Sequence, residues 1–344
     1  MKLQKINITQ IAEEAGVSIA TVSRALNGRN GVSEDVRRRV NALLRKHNYI
    51  GDNHLNREKK IAVVSAVKSF GSYVSELYAG IEAAATEKKI EYCIINRNEN
   101  SRRKLLEDIR EQQCSGVLLL LPTLFEKDLP DLAASELKVI AMDQPSALAE
   151  IGFVGNDSYK GSLEAARYLI SSGHTRIGYL KYPSDTYDHI LRVKGYNDAL
   201  EEAGLFSMEG WYISGGETPQ ETCGIAKEFL KKHPEITAVM CSSDDMASAV
   251  LRAAWEIGRK IPEELSVIGF DDLPSSSLTT PALTTVRHAI RESGYLAMTE
   301  LDQCLRDPFR PLPDQVLPTS LVIRESSSIC SVENIQTPNI RKVK

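Results

Sequence analysis

The sequence predicts an α/β protein in which a small all-α N-terminal domain precedes a core of doubly wound parallel sheets. Two observations lead to this prediction. Three short amphipathic segments occupy residues 1–50, and from Ile61 onward short apolar runs alternate with helix-length amphipathic segments. Nearly continuous apolar runs between helices are typical of parallel strands that are covered on both faces. The length of this second region indicates two similar lobes.

Charge divides at the same place in the chain. Residues 1–60 contain 12 Lys or Arg against 6 Asp or Glu, a net charge of +6, whereas the remainder carries −10. The basic N-terminal end is therefore the candidate binder of a polyanion.

Composition excludes several other classes of protein. The 344 residues contain no run of about 18 apolar residues and no secretory leader, so we expect a cytoplasmic protein with no membrane span. Six scattered cysteines without Cys-x-x-Cys spacing predict reduced thiols rather than a disulfide framework or a zinc site. We expect neither a metal nor a cofactor.

Three short helices account for the basic end. "NITQIAEEAG" offers Asn7 as the N-cap and Gly16 as the stop of the first helix, and Ser18 caps a second, "IATVSRALN". Ser33 begins a third. Its predicted apolar stripe consists of Val36, Val40, Leu43 and His47. Three such helices around a small core describe a helix-turn-helix headpiece over residues 1–50.

The second helix has the chemistry that a DNA major groove admits. Its leading side chains are small, and Ile19, Ala20 and Arg24 can contact base edges: the first two through thymine methyl groups, the arginine through guanine. The remaining polar side chains can hold phosphates; they are Ser18, Thr21, Ser23 and Asn27. Spacing alone leaves a second interpretation open, namely a small helical bundle with a solvated polar face.

The whole segment "ITQIAEEAGVSIATVSRALNGRNGVSEDVRRRVNALLRKHNY" resembles the headpiece of the lactose-repressor/galactose-repressor (LacI/GalR) family of bacterial regulators. The resemblance implies the same base and phosphate contacts. Ile19 and Ala20 occupy the pair that sets operator preference in that family, and they are most similar to its galactose-repressor branch. Because one headpiece makes too few contacts for specific affinity, we expect a homodimer on double-stranded operator DNA with a pseudo-palindromic sequence.

The hinge, residues 51–60, departs from the family pattern. Gly51 stands where the family has Pro, and the stretch "GDNHLNREKK" is shorter than usual. The resemblance implies a leucine wedge in the minor groove, for which Leu55 is the only apolar candidate. Wedging requires a well-formed helix behind the side chain. Our hypothesis is therefore that this hinge is degenerate and couples headpiece and core loosely.

Seven apolar runs predict strands of the core: "IAVVSAV", "YCIIN", "GVLLLL", "VIAMD", "IGYL", "AVMCS" and "LSVIGF". Doubly wound folds bind ligands beyond the carboxyl ends of their strands, so we expect a pocket in the cleft between the lobes. The predicted core spans residues 61–328, and the polar, aperiodic residues 329–344 are predicted to be disordered.

Enzyme signatures are poor. The chain contains no dinucleotide fingerprint, phosphate loop, nucleophile elbow or His-Glu-x-x-His motif. Asp271 and Asp272 could coordinate a metal, but at the end of a buried strand they fit a ligand hydroxyl and the local backbone better. Asp244 and Asp245 can equally be helix caps. His174, between a helix end and a strand, favours packing over catalysis.

The resemblance continues through the core, in "VGNDSYKGSLEAARYLISSGHTRIGYL", "RVKGYNDALEEAGL", "SSDDMASAVLRAAWEIGRKIPEELSVIGFDDLPSSSLTTPALTTVR" and "LPTSLVIRESS". It implies a two-lobed core similar to periplasmic sugar-binding proteins, with a small effector between the lobes. The implied effector contacts are Arg192 and Asp271 first, then Tyr73, Phe70 and Asp143, together with Ser243, where the family often has Asn.

The effector class stays open at this point. No aromatic residue near "GGETPQETCG" is placed to stack on a sugar, and a phosphorylated or acidic metabolite would suit Arg192 with Lys68 or Lys181. The predicted function is a DNA-binding transcriptional regulator, a repressor controlled by a carbohydrate or a derivative. The rival interpretations are a solute-binding receptor, a sensor of a non-sugar metabolite with the same core, and a metabolic enzyme, for which no cofactor loop is present.

Overall fold

The computed structural model describes residues 8–26, 31–47, 60–65, 71–97, 103–120, 125–206, 210–307 and 309–330. The described residues fall into two compact units. The first comprises those within 1–70, 77–155 and 291–315, and the second those within 71–76, 156–290 and 316–344. Some predictions lie outside the described residues: those for Asn7, Asn27, Leu55, Lys68, Phe70, most of the hinge and residues 331–344.

The headpiece consists of three helices, as predicted: α1 (Ile8–Ala15), α2 (Ile19–Leu26) and α3 (Glu34–Lys46). α1 is followed by Gly16, whose φ of +64° suits glycine, and the Ser18 hydroxyl accepts a hydrogen bond from the Thr21 amide at 3.1 Å. The buried core residues are Ile11, Ala12, Ala15, Val22, Ala25, Val40 and Leu44. Val36 and Leu43 of the predicted stripe on α3 are partly buried against this core, and Leu44, which the prediction omitted, is fully buried.

The first sheet has six strands in the order β11-β5-β4-β3-β1-β2. Its strands are β1 (Ile61–Ser65), β2 (Tyr92–Asn96), β3 (Gly116–Leu119), β4 (Lys138–Met142), β5 (Ile151–Asn156) and β11 (Asp314–Leu317). The helices between and after them are α4 (Ser72–Lys88), α5 (Leu105–Glu111), α6 (Leu129–Ala133) and α11 (Ile290–Arg306). The pairs among β1 to β5 are parallel.

The second sheet also has six strands, in the order β12-β10-β9-β8-β6-β7. Its strands are β6 (Ile177–Lys181), β7 (Tyr212–Ser214), β8 (Ala238–Cys241), β9 (Ser266–Asp271), β10 (Thr284–Arg287) and β12 (Ser320–Val322). Its helices are α7 (Ser158–Ser171), α8 (Tyr187–Glu202), α9 (Pro219–Lys232), α10 (Asp244–Glu256) and a short 3-10 helix (Pro274–Ser277). β12 alone pairs antiparallel, with β10.

The two sheets repeat one topology. In each sheet, five strands that are consecutive in the chain lie in the spatial order second, first, third, fourth, fifth, and a sixth strand, from the C-terminal part of the chain, lies beside the fifth. All seven predicted strands are present, and the prediction of two similar parallel lobes is confirmed. Five short strands were not predicted: β5, β7, β10, β11 and β12.

The described part of the chain ends at Cys330. The amide of Cys330 donates to the carbonyl of Ser172 at 2.8 Å, so the chain is still held to the second unit two residues beyond the predicted core boundary at 328. In the part of the chain that the structure describes, no helix has the length and apolar character required to cross a bilayer.

Candidate functional site

The outer face of α2 carries the predicted base-reading residues. Ile19 is 47% exposed, and Ala20 and Arg24 are also exposed, whereas Val22 and Ala25 on the opposite face are buried in the headpiece core. Ile19, Ala20 and Arg24 therefore lie on the solvent side of α2.

The predicted phosphate contacts flank this face. Ser18 is exposed, and its hydroxyl lies 2.8 Å from that of Thr21. Thr21 and Ser23 are half-buried. The N-terminal end of α2 thus lies beside the exposed Ile19 and Ala20, where a helix can meet phosphates.

α8 places two charged side chains one turn apart on the same helix face. Asp188 and Arg192 are both buried, and Arg192 Nη2 lies 3.7 Å from Asp188 Oδ2. Arg192 Nη1 lies 3.3 Å from Asp271 Oδ1 and donates to the Ser242 carbonyl at 2.5 Å. The guanidinium carbon stands 3.8 Å from the centroid of the Phe270 ring. Two buried carboxylates therefore neutralise the guanidinium charge inside the protein.

His288 completes this group. Its Nδ1 lies 3.4 Å from Asp271 Oδ1 and 3.5 Å from Arg192 Nη2, and the Tyr73 ring stacks on the imidazole with centroids 5.6 Å apart. Asp271 has a φ of 120°, a region that glycine alone adopts readily; such strain costs about 1–3 kcal/mol and is typical of functional sites. We call Asp188, Arg192, Asp271 and His288 the Arg192 cluster. It lies at the carboxyl end of the second sheet, where such folds bind ligands.

Ser243 and Asp244 follow β8 and adjoin the cluster. Ser243, and neither aspartate, is the N-cap of α10, because its hydroxyl accepts from the Met246 amide at 3.3 Å. The capping interpretation of Asp244 was therefore wrong. Its carboxylate instead accepts hydrogen bonds across the carboxyl end of the sheet, from the Leu273 amide at 2.8 Å and from the hydroxyls of Ser276 and Thr285.

Burial controls the charge of both carboxyl groups. It raises the pKa of Asp244 to about 7, helped by the negative charge of Asp271. It also raises the pKa of Asp271 to about 7, although Arg192 opposes this shift. Groups that titrate near neutrality in a candidate site can respond to a ligand.

Asp143 occupies the corresponding place in the first unit. It directly follows β4, as Asp271 ends β9, and β4 and β9 are equivalent strands of the two sheets. Asp143 is buried with a φ of 63°, and its amide donates to the Val154 carbonyl at 3.1 Å. Both lobes thus end the same strand with an aspartate in an unusual backbone conformation.

Two family models match the chain: "Bacterial regulatory proteins, lacI family" over residues 7–52 and "Periplasmic binding protein-like domain" over residues 166–327. The HTH-type transcriptional regulator GalR of Escherichia coli (strain K12) is 31% identical over 340 residues, which cover 95% of this chain and 97% of that protein. The chain belongs to the LacI/GalR family of bacterial transcriptional regulators.

Other relatives and solved structures agree with this assignment. Catabolite control protein A of Priestia megaterium is 28% identical over 94% of this chain and 99% of its own length. A transcriptional regulator CelR–cellobiose complex superposes with a TM-score of 0.70 at 26% identity, covering 94% of this chain and all of that one. A lac repressor dimer bound to operator has the same fold, with a TM-score of 0.70 at 22% identity and the same coverage.

This LacI/GalR-family protein is accordingly a transcriptional regulator with a DNA-binding helix-turn-helix domain, and not an enzyme. The residues that raised enzyme or metal alternatives have structural partners. Asp272 pairs with Arg287 at 2.8 Å and Arg324 at 2.5 Å. His174 is buried between the Thr237 hydroxyl, at 2.9 Å, and the Ser328 carbonyl, at 3.1 Å, so the packing interpretation is confirmed.

Sequence reasoning missed several residues of the regulator's candidate site. Asp188 could have been found, because it precedes Arg192 by one helical turn. His288 could not, since β10 before it was not predicted. Tyr182, directly after β6, is 42% exposed and stacks on His189 with centroids 4.7 Å apart, which offers an aromatic face at the carboxyl end of the sheet.

Proposed function

We propose that this regulator represses transcription by binding a pseudo-palindromic operator as a homodimer, and that a small neutral carbohydrate controls its affinity for DNA. The observation that carries the DNA-binding part is the exposed face of α2, where Ile19, Ala20 and Arg24 stand out from a helix whose other face is buried. These three side chains are the base readers, and Ser18, Thr21 and Ser23 hold phosphates.

The dimer follows from the size of the DNA-reading surface. A single eight-residue recognition helix buries too little surface for specific affinity, whereas two copies on half-sites one helical turn apart suffice. If the dimer neutralises about 6–10 phosphates, its affinity should fall roughly 10³- to 10⁵-fold between 50 and 200 mM salt.

The charge balance of the Arg192 cluster supports a neutral effector. Asp271 and Asp188 lie 3.3 and 3.7 Å from the guanidinium nitrogens of Arg192, so the cluster has no excess positive charge to offer an anion. Lys181, the other cation considered for an acidic metabolite, pairs with Asp185 at 2.7 Å. The carboxylates accept hydrogen bonds, the guanidinium donates them, and each holds the other in place. Together they are well suited to bind hydroxyl groups, which both donate and accept hydrogen bonds.

Two further observations favour a sugar. The exposed face of Tyr182 can pack on a sugar ring, and the CelR structure, 26% identical, is a complex with cellobiose. Arg192, Asp271 and Tyr73 are the contacts that the cluster geometry supports. Phe70, Asp143 and Ser243 remain predicted contacts. Effector binding needs to supply a coupling of only about 1–3 kcal/mol to switch operator occupancy.

A ligand panel tests the effector class. Thermal unfolding of the full-length protein is measured with neutral mono- and disaccharides and with the corresponding sugar phosphates. A ligand at about 100 times its Kd stabilises the folded protein by roughly 2.7 kcal/mol, a rise in Tm of several degrees. We expect such a rise with a neutral sugar.

The matched controls are Tyr182→Ala and Phe206→Ala, which each remove an exposed aromatic side chain from the second unit. Tyr182→Ala should reduce the rise, and Phe206→Ala should leave it unchanged. A larger rise with sugar phosphates than with neutral sugars would contradict the proposed class.

A further inference from the structure

The headpiece core is completed by a side chain from outside the headpiece. Phe309, which follows α11 in the first unit, packs against the hydrophobic cluster of α1, α2 and α3 and is half-buried there. Val32, two residues before α3, and Val36, in the first turn of α3, are partly buried apolar residues of the same cluster. An aromatic ring from outside the headpiece therefore covers part of the apolar surface of the three-helix domain.

The segment that carries Phe309 is anchored to the first lobe by two contacts, both made by residues that follow Phe309. The guanidinium of Arg310 binds the buried carboxylate of Glu300 with nitrogen–oxygen distances of 2.8 and 3.1 Å. The Pro313 carbonyl accepts from the Phe153 amide at 2.7 Å. We call residues 309–313 the headpiece seat. Because its anchors are charge-assisted or part of the sheet edge, the seat moves with the lobe and not with the headpiece.

The seated headpiece keeps its DNA-reading face free. Ala25 lies on the buried side of α2 and lines the cleft of about 940 Å³ beside the seat, together with Val32 and Arg37. Ala20 and Arg24 remain exposed. Docking on Phe309 is therefore compatible with operator binding, and it fixes the direction in which the recognition helix points.

One helix links the seat to the Arg192 cluster along the chain. α11 begins at Ile290, two residues after His288, and ends at Arg306, three residues before Phe309. Its 17 residues make a rigid rod of about 25 Å. A change at the cluster that displaced the start of α11 would thus be transmitted to the seat without passing through residues 51–60.

We propose that Phe309 and the headpiece seat are the docking surface for the chain's own headpiece, and that this contact, in addition to the hinge, sets the position of the headpiece on the core. The proposal explains how a regulator with a shortened hinge sequence can hold two recognition helices at a defined spacing. Of the two readouts below, only the second depends on the proposed DNA-binding function.

The first readout is hydrogen exchange of the full-length protein without DNA. Replacing Phe309 with Ala removes roughly half of a phenylalanine burial, so exchange over residues 34–46 should become about tenfold faster, while exchange over 138–142 in the first lobe stays unchanged. Phe309→Leu should restore most of the protection. The matched control is Phe206→Ala, whose side chain is 80% exposed in the second unit, and it should change neither peptide.

The second readout is half-site spacing. Wild-type protein should prefer one spacing of a selected palindrome, and Phe309→Ala should accept spacings changed by one or two base pairs with affinities within about threefold of each other. Unchanged exchange over 34–46, an equal increase over 138–142, or a spacing preference kept by Phe309→Ala would each overturn the proposal. If the wild type binds no duplex DNA, the proposed function fails, while the exchange result still decides whether the headpiece docks on Phe309.

Discussion

At the scale of single residues, the second unit buries two neighbouring carboxyl groups whose pKa values lie near neutrality. Asp244 is 1% exposed and Asp271 is 4% exposed. Burial raises the pKa of each to about 7, against an ordinary value of 3.8. The folded protein therefore holds a proton that the unfolded chain releases at lower pH. Stability from this source is fully present below about pH 4 and is lost as pH rises toward 7.

Asp244→Asn tests this account of the carboxyl pair. An amide imitates the protonated acid and can keep hydrogen bonds with Ser276 and Thr285, so the variant should lose less stability than wild type as pH rises. Between pH 5 and pH 8 we expect wild type to lose about 1–3 kcal/mol more, a difference in Tm of roughly 3–10 °C. Parallel Tm profiles of the two proteins over this range would show that Asp244 is ionised throughout.

At this scale the sequence located part of the site. Arg192 and Asp271 were predicted from the family resemblance, and the structure places them 3.3 Å apart. Their contribution to effector binding remains a prediction. The cross-sheet hydrogen bonds of Asp244 depend on which strands lie side by side, and strand order cannot be read from local spacing. The cap formed by Ser243 is local, three residues ahead of Met246, and could have been predicted.

At the scale of elements, the close packing of α7 depends on two glycines, Gly195 of α8 on one side and Gly161 of α7 against Thr319 on the other. A Cβ atom at Gly195 would lie 2.4 Å from the Tyr159 carbonyl oxygen, and one at Gly161 would lie 2.7 Å from the Thr319 hydroxyl. The close approach brings α8, and with it Asp188 and Arg192, against the carboxyl end of the sheet.

Gly195→Ala should therefore destabilise the regulator. The backbone of α7 has to move to admit the methyl group, which costs about 1–3 kcal/mol and should lower Tm by roughly 3–10 °C. Gly224→Ala is the matched control, because Gly224 also lies within a helix, α9, and a Cβ atom there meets nothing within 4 Å. Thermal unfolding of Gly224→Ala should show an equal or higher Tm. A Tm lowered equally by both substitutions would mean that helix packing is not the cause.

Strand predictions succeeded where a buried strand is also continuously apolar, and failed for β5, "IGFVGN", which is equally buried but is interrupted by glycines. The strands "IAVVS" and "SVIGFD" are fully buried and read as continuous apolar runs. β7, β11 and β12 are edge strands of three or four residues with exposed positions, and their pairing is decided by tertiary contact. The sequence also did not reveal that the two sheets share one strand order, because equivalent strands keep their positions while their side chains differ.

At the scale of the whole molecule, a basic headpiece with an exposed reading face is joined to two lobes of one topology. The headpiece end carries a net charge of +6 and the rest −10, so the part of the protein that meets DNA is the part that attracts it. His288 of the Arg192 cluster, α11 and Phe309 lie in succession along the chain, and we propose that this segment couples the proposed effector site to the headpiece.

We propose that this protein reads a two-fold symmetric DNA sequence through α2. The most direct measurement is selection of the purified full-length protein against random duplex DNA, with the enriched sites sequenced and Arg24→Ala carried in parallel. We expect a palindrome for wild type, and for Arg24→Ala the loss of base preference at one position in each half-site, at a cost of about 1–3 kcal/mol per contact. Enrichment of no sequence, or of a site that Arg24→Ala selects equally well, would contradict the account.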